Sequence, residues 1–405
     1  MQYAMIKYIN KIKNNYNKRK LILEEIGLYR YLINNKGFVL VVVLIMLAFL
    51  GALSSDFLYR SYTYAKYLNR FKADNKAEYL AYSGYAIAKS ILDIDRLGLN
   101  LSFLPNINNN KNIDSYKDIW AVELPEIYLD DGSIKILIED EQSKINISAL
   151  ANVFVDSTPY YGMLQRLFGD MGLILDIANC ILDWVDTDSL ISQYGAESDY
   201  YLNLKPPYKA QNLEMGSIDE LLLVKLVTPE IYYGLGGGNF DSKKKFKDLV
   251  EENRDNIKLT SDIFNKPAEN PKRDLQSIID RKIGREKDRA LYNYLRVYGN
   301  TSDFTHESNR ININTASFRV LMALSEEMNE GVVSDIIKRR LTEPFNLITD
   351  LNEFIRNPDL LKNLITVKSN IFKITVTASL RNGFCRYINY YDRSSNKILY
   401  SSIEH

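Results

Sequence analysis

From Phe38 to Leu53 the chain reads FVLVVVLIMLAFLGAL, without one charged or strongly polar residue. A membrane-spanning helix needs ~20 predominantly apolar residues. Ser54, Ser55, Phe57 and Leu58 extend the run toward that length, with Asp56 the only charge before Arg60. On its N-terminal side stand Lys7, Lys11, Lys13, Lys18, Arg19, Lys20, Arg30 and Lys36 against Glu24 and Glu25. Such an excess of cations holds the N-terminus in the cytoplasm and sends the bulk of the chain across the membrane. No small-x-small site follows the run, so it is expected to remain as an anchor rather than leave as a secretory signal. Helical spacing then continues: Leu68, Phe71, Leu80, Ala81, Ala88 and Leu92 recur near three and four positions, as an amphipathic helix requires. One helix from about Phe38 to Leu92 is predicted, its first half in lipid and its second half packed on a folded head.

The cytoplasmic edge of the span carries a second signal. Lys36-Gly37-Phe38 places a cation, a glycine and an apolar residue in succession. This resembles the type III signal cut by prepilin peptidase, which cleaves after the glycine and methylates the new N-terminus. Gly37 and Phe38 would be the processing residues, and the leader of 37 residues is long for the class. Major pilins place a Glu fifth after the cut, where this chain has Val42. A carboxylate in lipid costs roughly 2.5–3.5 kcal/mol and persists only where something compensates it. A subunit without it is expected to hold a special place in a filament.

The remaining composition excludes more than it assigns. A chain of 405 residues exceeds a typical single domain, so two or three folded units after the anchor are expected. Lys+Arg and Asp+Glu are both 51, and this balance lacks the basic excess of nucleic-acid binders. Only Cys180 and Cys385 are present, too few for a disulfide framework; an apolar helix and a strand surround them, as for buried packing, and a long-range bridge between them is the minority alternative. The two histidines, His306 and His405, lie far apart in polar surroundings and form no dyad. With no nucleophile–base pair and no phosphate-binding loop, the chain is read as structural and not as an enzyme.

After an Asn-rich loop (Asn106 to Asn112), Ile134 to Ile138 reads as a strand behind the turn Asp130-Asp131-Gly132-Ser133. Strand character returns only in FKITVTASL, FCRYINYYD and KILYSS, joined by the turns Arg381-Asn382-Gly383 and Arg393-Ser394-Ser395-Asn396. The predicted fold is α+β and pilin-like: a long spine helix, a small antiparallel sheet and a large, mainly helical insert. The expected divisions are a leader (1–37), the membrane part of the spine (38–55) and the first part of the head (56–145). A first repeat with an acidic loop (146–235), a charged insertion with a connecting helix (236–305), a second repeat (306–362) and the closing strands (363–405) follow.

The insert repeats itself weakly. Lys144-Ile145-Asn146-Ile147-Ser148-Ala149 is echoed by Arg310-Ile311-Asn312-Ile313-Asn314-Thr315-Ala316. Each is followed by an apolar helix (ILDIANCILDWV; GVVSDIIKRRL) and then a capped helix (SIDELLLV; ITDLNEFI). Each copy resembles a helix-hairpin-helix or SAM-like unit, which raises the alternative of a type IV or competence pilus subunit that contacts DNA. Such units grip phosphate through backbone N–H groups of a glycine-rich hairpin. Here the second linker, Ser325 to Gly331, holds Glu326, Glu327 and Glu330, and the first, Phe168 to Gly172, holds no cation. A protein-contacting use is therefore preferred, and no nucleic acid is expected. Lys243, Lys244, Lys245 and Lys247 in the charged insertion read as a solvated face.

One stretch has the makings of a site. Asp183-Trp184-Val185-Asp186-Thr187-Asp188 is followed by Gly195-Ala196-Glu197-Ser198-Asp199-Tyr200-Tyr201, with no Lys or Arg until Lys205. Carboxylates crowded together repel unless a cation or solvent screens them. Calcium accepts 6–8 oxygens in flexible geometry, and an acidic loop suits it better than a softer metal. A solvated acidic turn is the other reading.

At this point the ordered series of motifs resembles the K-class minor pseudopilins of type II secretion systems, the general secretion pathway protein K family. The resemblance runs through the prepilin junction without Glu, Lys-Ile-Asn-Ile, Leu-Asp-Trp-Val-Asp-Thr-Asp and Gly-Ala-Glu-x-Asp-Tyr-Tyr. It continues through Pro206-Pro207-Tyr208-Lys209-Ala210, Gly216-Ser217-Ile218-Asp219-Glu220-Leu221, Val297-Tyr298-Gly299 and Ile311 to Ala316. It covers most of the chain but not the charged insertion. It implies a single-pass protein of the bacterial inner membrane with its C-terminal bulk in the periplasm. It further implies a place at the pseudopilus tip beside the I- and J-class pseudopilins, and processing by prepilin peptidase. Calcium is implied in the helical insert, where the family's acidic pattern falls on Asp186, Asp188, Glu197 and Asp199, with Asp183 at its margin.

Overall fold

The computed structural model describes residues 2–34, 36–99, 108, 110–129, 131–151, 159–234, 290–299, 306–356 and 358–405. It divides into two compact units, Met1–Ala73 and Asp74–His405. In the first, α1 (Gln2–Asn34) is followed by the beginning of α2 (Lys36–Leu97). The apolar part of α2 has none of its side chains buried. This is one helix long and apolar enough to cross a membrane. Gly37 and Phe38 are part of this helix. The helix runs five residues beyond the expected Leu92, because Ile91 and Leu92 are buried against the head and Arg96 sits favourably in the last turn.

The second unit contains the sheet. Strands β1 (Ile127–Leu129), β2 (Gly132–Asp140), β7 (Ile371–Leu380), β8 (Gly383–Asp392) and β9 (Lys397–Glu404) lie in that spatial order. All four pairings are antiparallel. The central strands alternate buried and open positions, so Ile134, Ile136 and Ile138 on β2, and Phe372, Ile374, Val376 and Ala378 on β7, share one face. Against it lie Ala77, Ala81, Ala88, Ile91 and Leu92 of α2, with Tyr387 and Tyr391 of β8 completing the core.

Small residues set how closely the helix approaches. A Cβ on Gly84 would come within 2.5 Å of Val376 Cγ1 and 2.9 Å of Ile134 Cγ2. Gly84→Val should force the helix off the sheet and destabilise the protein by roughly 1–3 kcal/mol, the usual cost of overpacking a core. Gly84→Ala should cost less. Chemical denaturation of the detergent-solubilised chain checks the order, and a neutral Gly84→Val would refute the close contact.

β2 and β7 are neighbours, yet residues 141–370 lie between them in the chain. Among the described residues of that insert, the internal repeat reappears as matched elements. In the first copy β3 (Ile145–Asn146) pairs in parallel with β4 (Leu295–Arg296), enclosing α3 (Pro159–Met171), α4 (Asp176–Val185), α5 (Ser198–Leu202) and α6 (Pro229–Tyr233). In the second, β5 (Ile311–Asn312) pairs in parallel with β6 (Ile365–Thr366), enclosing α7 (Phe318–Leu324) and α8 (Glu330–Thr342). The likeness reaches single hydrogen bonds. Asn146 Oδ1 accepts from Ser148 N–H at 3.1 Å, and Asn312 Oδ1 from Asn314 N–H at 3.0 Å. Glu220 accepts from the N–H groups of Gly216 and Ser217, as Asp350 does from those of Asn346 and Leu347. Both copies share one core, and Arg166 of α3 donates to the carbonyls of Ala323 and Leu324 at the end of α7.

Two expectations change. SIDELLLV and ITDLNEFI fold as 3-10 turns, Ile218–Leu223 and Ile348–Glu353, rather than as α-helices. A six-residue run is too short to repay helix nucleation, and tight turns are common as connectors. The first linker also shifts: α3 absorbs Phe168 to Met171, and the chain reverses at Gly172, whose φ of +68° suits glycine. Cys180 and Cys385 are free and buried in separate cores, where burial raises both thiols to about 11. Lys243, Lys244, Lys245 and Lys247 lie outside the described residues.

Candidate metal centre

The acidic loop begins where α4 stops. Asp186 leaves helical geometry (ψ 163°), although its N–H still bonds the Leu182 carbonyl at 2.9 Å. The chain returns at Glu197, the residue before α5. Beneath this loop Trp184 meets Tyr201 edge-on at 5.0 Å, and Tyr201 stacks on Tyr208 at 5.3 Å. These rings supply a rigid apolar floor.

Asp186, Asp188 and Glu197 each bring one carboxylate oxygen within 4.8 Å of the others. Asp186 is 5% exposed and Glu197 3%, so two of the three charges are withdrawn from water. Asp188 stays open and accepts the Leu190 N–H at 2.7 Å. Burial first, then the charges of Asp188, Glu197 and Asp183, pushes the Asp186 carboxyl up to about 7. Burial raises Glu197 as well. Without added positive charge this arrangement resists its own ionisation.

Asp199 is not part of the trio. It is exposed in the first turn of α5, because residues two apart on a helix face different directions. Asp183 has another task. It is fully buried, and both of its oxygens accept the Ser192 N–H at 3.2 Å. It thereby ties the middle of the loop to α4. Gly195 is required at this contact, since a Cβ there would lie 2.0 Å from Asp183 Oδ2. Lys225 Nζ secures the same stretch by donating to the carbonyls of Tyr194 (3.2 Å) and Gly195 (2.9 Å).

Asn212 was not singled out by the sequence. Its backbone is left-handed (φ +46°), a conformation Asn tolerates better than most residues. Its N–H bonds the Trp184 carbonyl at 2.9 Å. Its amide nitrogen donates to the Asp188 carbonyl and to Glu197 Oε2. That leaves Asp186 Oδ1, Glu197 Oε1 and Asn212 Oδ1 buried without a hydrogen-bond donor. Orphaned buried oxygens cost roughly 1–3 kcal/mol each, more when charged. Oxygen donors only, two of them buried carboxylates, suit a hard cation such as calcium and not a thiophilic metal.

The comparisons with known proteins fall on these same segments. Residues 143–236 and 311–368 match two family models described as type II secretion system protein K. The type II secretion system protein K of Aeromonas hydrophila is 27% identical over 210 residues, 48% of this chain and 60% of that protein. That of Pectobacterium carotovorum subsp. carotovorum is 32% identical over 124 residues, 28% of this chain and 38% of the relative. The chain thus spans about 60% of the length of the Aeromonas relative in alignment. The crystal structure of the GspK-GspI-GspJ complex from the enterotoxigenic Escherichia coli type 2 secretion system contains a chain of like fold. Its TM-score is 0.52 at 17% identity, covering 82% of this chain and 96% of that one. Both copies of the repeat match in order, on a long apolar helix followed by an antiparallel sheet. The matched segments and the fold alike point to the protein K family of type II secretion systems, the K-class minor pseudopilins.

Proposed function

We propose that this protein is a structural subunit at the tip of a type II secretion pseudopilus, anchored once in the inner membrane with its C-terminal bulk in the periplasm. The observation that carries the reading is the ordered match of both repeat copies on an anchor-plus-sheet frame. The cations before Phe38 support the orientation. Prepilin peptidase would cut between Gly37 and Phe38. The two copies of the repeat serve as helix-hairpin-helix-like frames for protein contact, not for DNA, since Glu326, Glu327 and Glu330 would repel phosphate. The insert supports the tip position: residues 141–370 add more chain than the strands they separate, and a tip has no next subunit above it to obstruct. The partners would be the I- and J-class pseudopilins, as named together in the related complex. Calcium would be held by Asp186, Asp188 and Glu197. It would supply positive charge to the loop and order it, and Asp183, Gly195 and Lys225 would fix the approach of the ligands.

The test is co-purification. Tagged full-length protein extracted in detergent from its own cells should bring down I- and J-class pseudopilins in comparable amounts. Gold-labelled antibody to the insert should mark filament ends. Regular labelling along the shaft, or recovery without either pseudopilin, would overturn the proposal.

A further inference from the structure

A second carboxylate cluster lies in the head, on elements unrelated to the acidic loop. Asp95, near the end of α2, and Asp114 and Asp118, before β1, each place one oxygen within 4.8 Å of the others. Asp114 is 0% exposed and Asp118 1%. The hydrogen bonds to Asp114 are one-sided. Its Oδ2 accepts from the Ser369 N–H at 2.7 Å and from Arg393 Nη2 at 2.7 Å. Its Oδ1 is buried with no donor at all.

The charges do not balance either. Arg393 binds Asp95 Oδ2 at 2.9 Å and Asp114 Oδ2 at 2.7 Å, and it is the one basic group ion-paired to the cluster among the described residues. Three ionised carboxylates against one guanidinium would leave two negative charges, where Asp114 and Asp118 are buried and Asp95 is nine-tenths so. Asp118 is held by neutral donors: the Ser115 N–H at 2.7 Å, the Ser115 hydroxyl at 3.2 Å and the Asn108 amide at 2.8 Å. A buried charge without a partner is among the costliest features a fold can carry.

We propose that Asp95, Asp114 and Asp118 hold one divalent cation of calcium size, distinct from any ion in the acidic loop. Calcium binds oxygen at 2.3–2.6 Å, so two oxygens on one ion lie up to about 5 Å apart. Three oxygens within 4.8 Å of one another therefore suit a single shared ion. The ion neutralises the two excess charges and takes the oxygen of Asp114 that nothing else uses. Arg393 keeps the Oδ2 atoms. The consequence is mechanical: the end of the spine helix is pinned to the 113–121 segment, whose turn at Ile119–Ala121 starts from Asp118.

The test uses the detergent-solubilised full chain carrying Asp186→Ala and Glu197→Ala, so that the acidic loop contributes nothing. After equilibrium dialysis in millimolar calcium, elemental analysis should find one bound ion per chain. Terbium added to the calcium-free protein should luminesce on tryptophan excitation, because Trp120 lies two residues from Asp118. Adding Asp118→Asn keeps an oxygen for the Ser115 N–H but removes a charge, and it should abolish both signals; Asp95→Asn is the second variant should the first fail to fold. A double variant that retains no calcium and gives no terbium signal would show that protons alone neutralise the cluster. Retention of the ion in both Asn variants would equally overturn the site. Failure of the acidic loop to bind shows separately, as equal ion content in the wild type and the double variant.

Discussion

Chelating calcium from the detergent-solubilised full chain should lower its melting temperature by about 5–10 °C, and restoring calcium should recover it. An ion at a hundred times its dissociation constant stabilises by about 2.7 kcal/mol through mass action. For a folded unit of this size each kcal/mol moves the midpoint by about 2–4 °C. Asp186→Ala with Glu197→Ala should remove the part of the response that belongs to the loop. The variant without calcium should be no less stable than the chelated wild type. It loses two ligands, but it also loses two buried carboxylates, each with an oxygen that has no donor. That sign separates a metal loop from an ordinary hydrogen-bonded loop, in which removing buried polar groups weakens the fold. Lys225→Met gives a complementary result. It frees the carbonyls of Tyr194 and Gly195, loosening the loop, so calcium affinity should fall while the carboxylates remain. Calorimetry that detects no calcium uptake at millimolar concentration would leave the loop a solvated turn.

How far the sequence foretold this depends on the range of each interaction. The anchor was legible because sixteen apolar residues in succession admit few other uses. The strands β2, β7, β8 and β9 were legible because period-two alternation and short turns are local signals. The repeat was visible as Ile-Asn-Ile, but not what it builds. Two-residue parallel strands carry no periodicity, and Ile145 finds Leu295 across 150 positions only after folding. The pairing at the sheet edge, Ile127–Leu129 with β2, was likewise too short to read. In the acidic loop, composition pointed to five carboxylates but could not divide their labour. Helix geometry turns Asp199 to solvent, while Asp183 faces Ser192 instead of the trio. Asn212 was missed because a left-handed turn, not a spacing, brings it under the loop. The Arg393 cluster lay furthest beyond sequence reasoning: its ion pair to Asp95 joins residues 298 positions apart.

In cells with active prepilin peptidase, the mature protein should begin at a methylated Phe38, and Gly37→Val should retain the leader entirely. Gly37 and Phe38 are both helical, and the expected cut falls at the edge where the apolar run of α2 begins. In the proposed orientation the charge pattern would hold Gly37 at the cytoplasmic face: Lys36 resists entry into lipid, and Phe38 begins the apolar run. A β-branched side chain at residue 37 removes the open approach that glycine gives and stiffens the chain there. Under the proposed function, retaining the leader leaves a block of cations on the end that would pack among other pseudopilin helices, so secretion should fall with it. Mass spectrometry of membrane-extracted protein reads both results directly. An intact leader on the wild type, with the peptidase active on another pseudopilin in the same cells, would sink the processing claim while leaving the family assignment untouched.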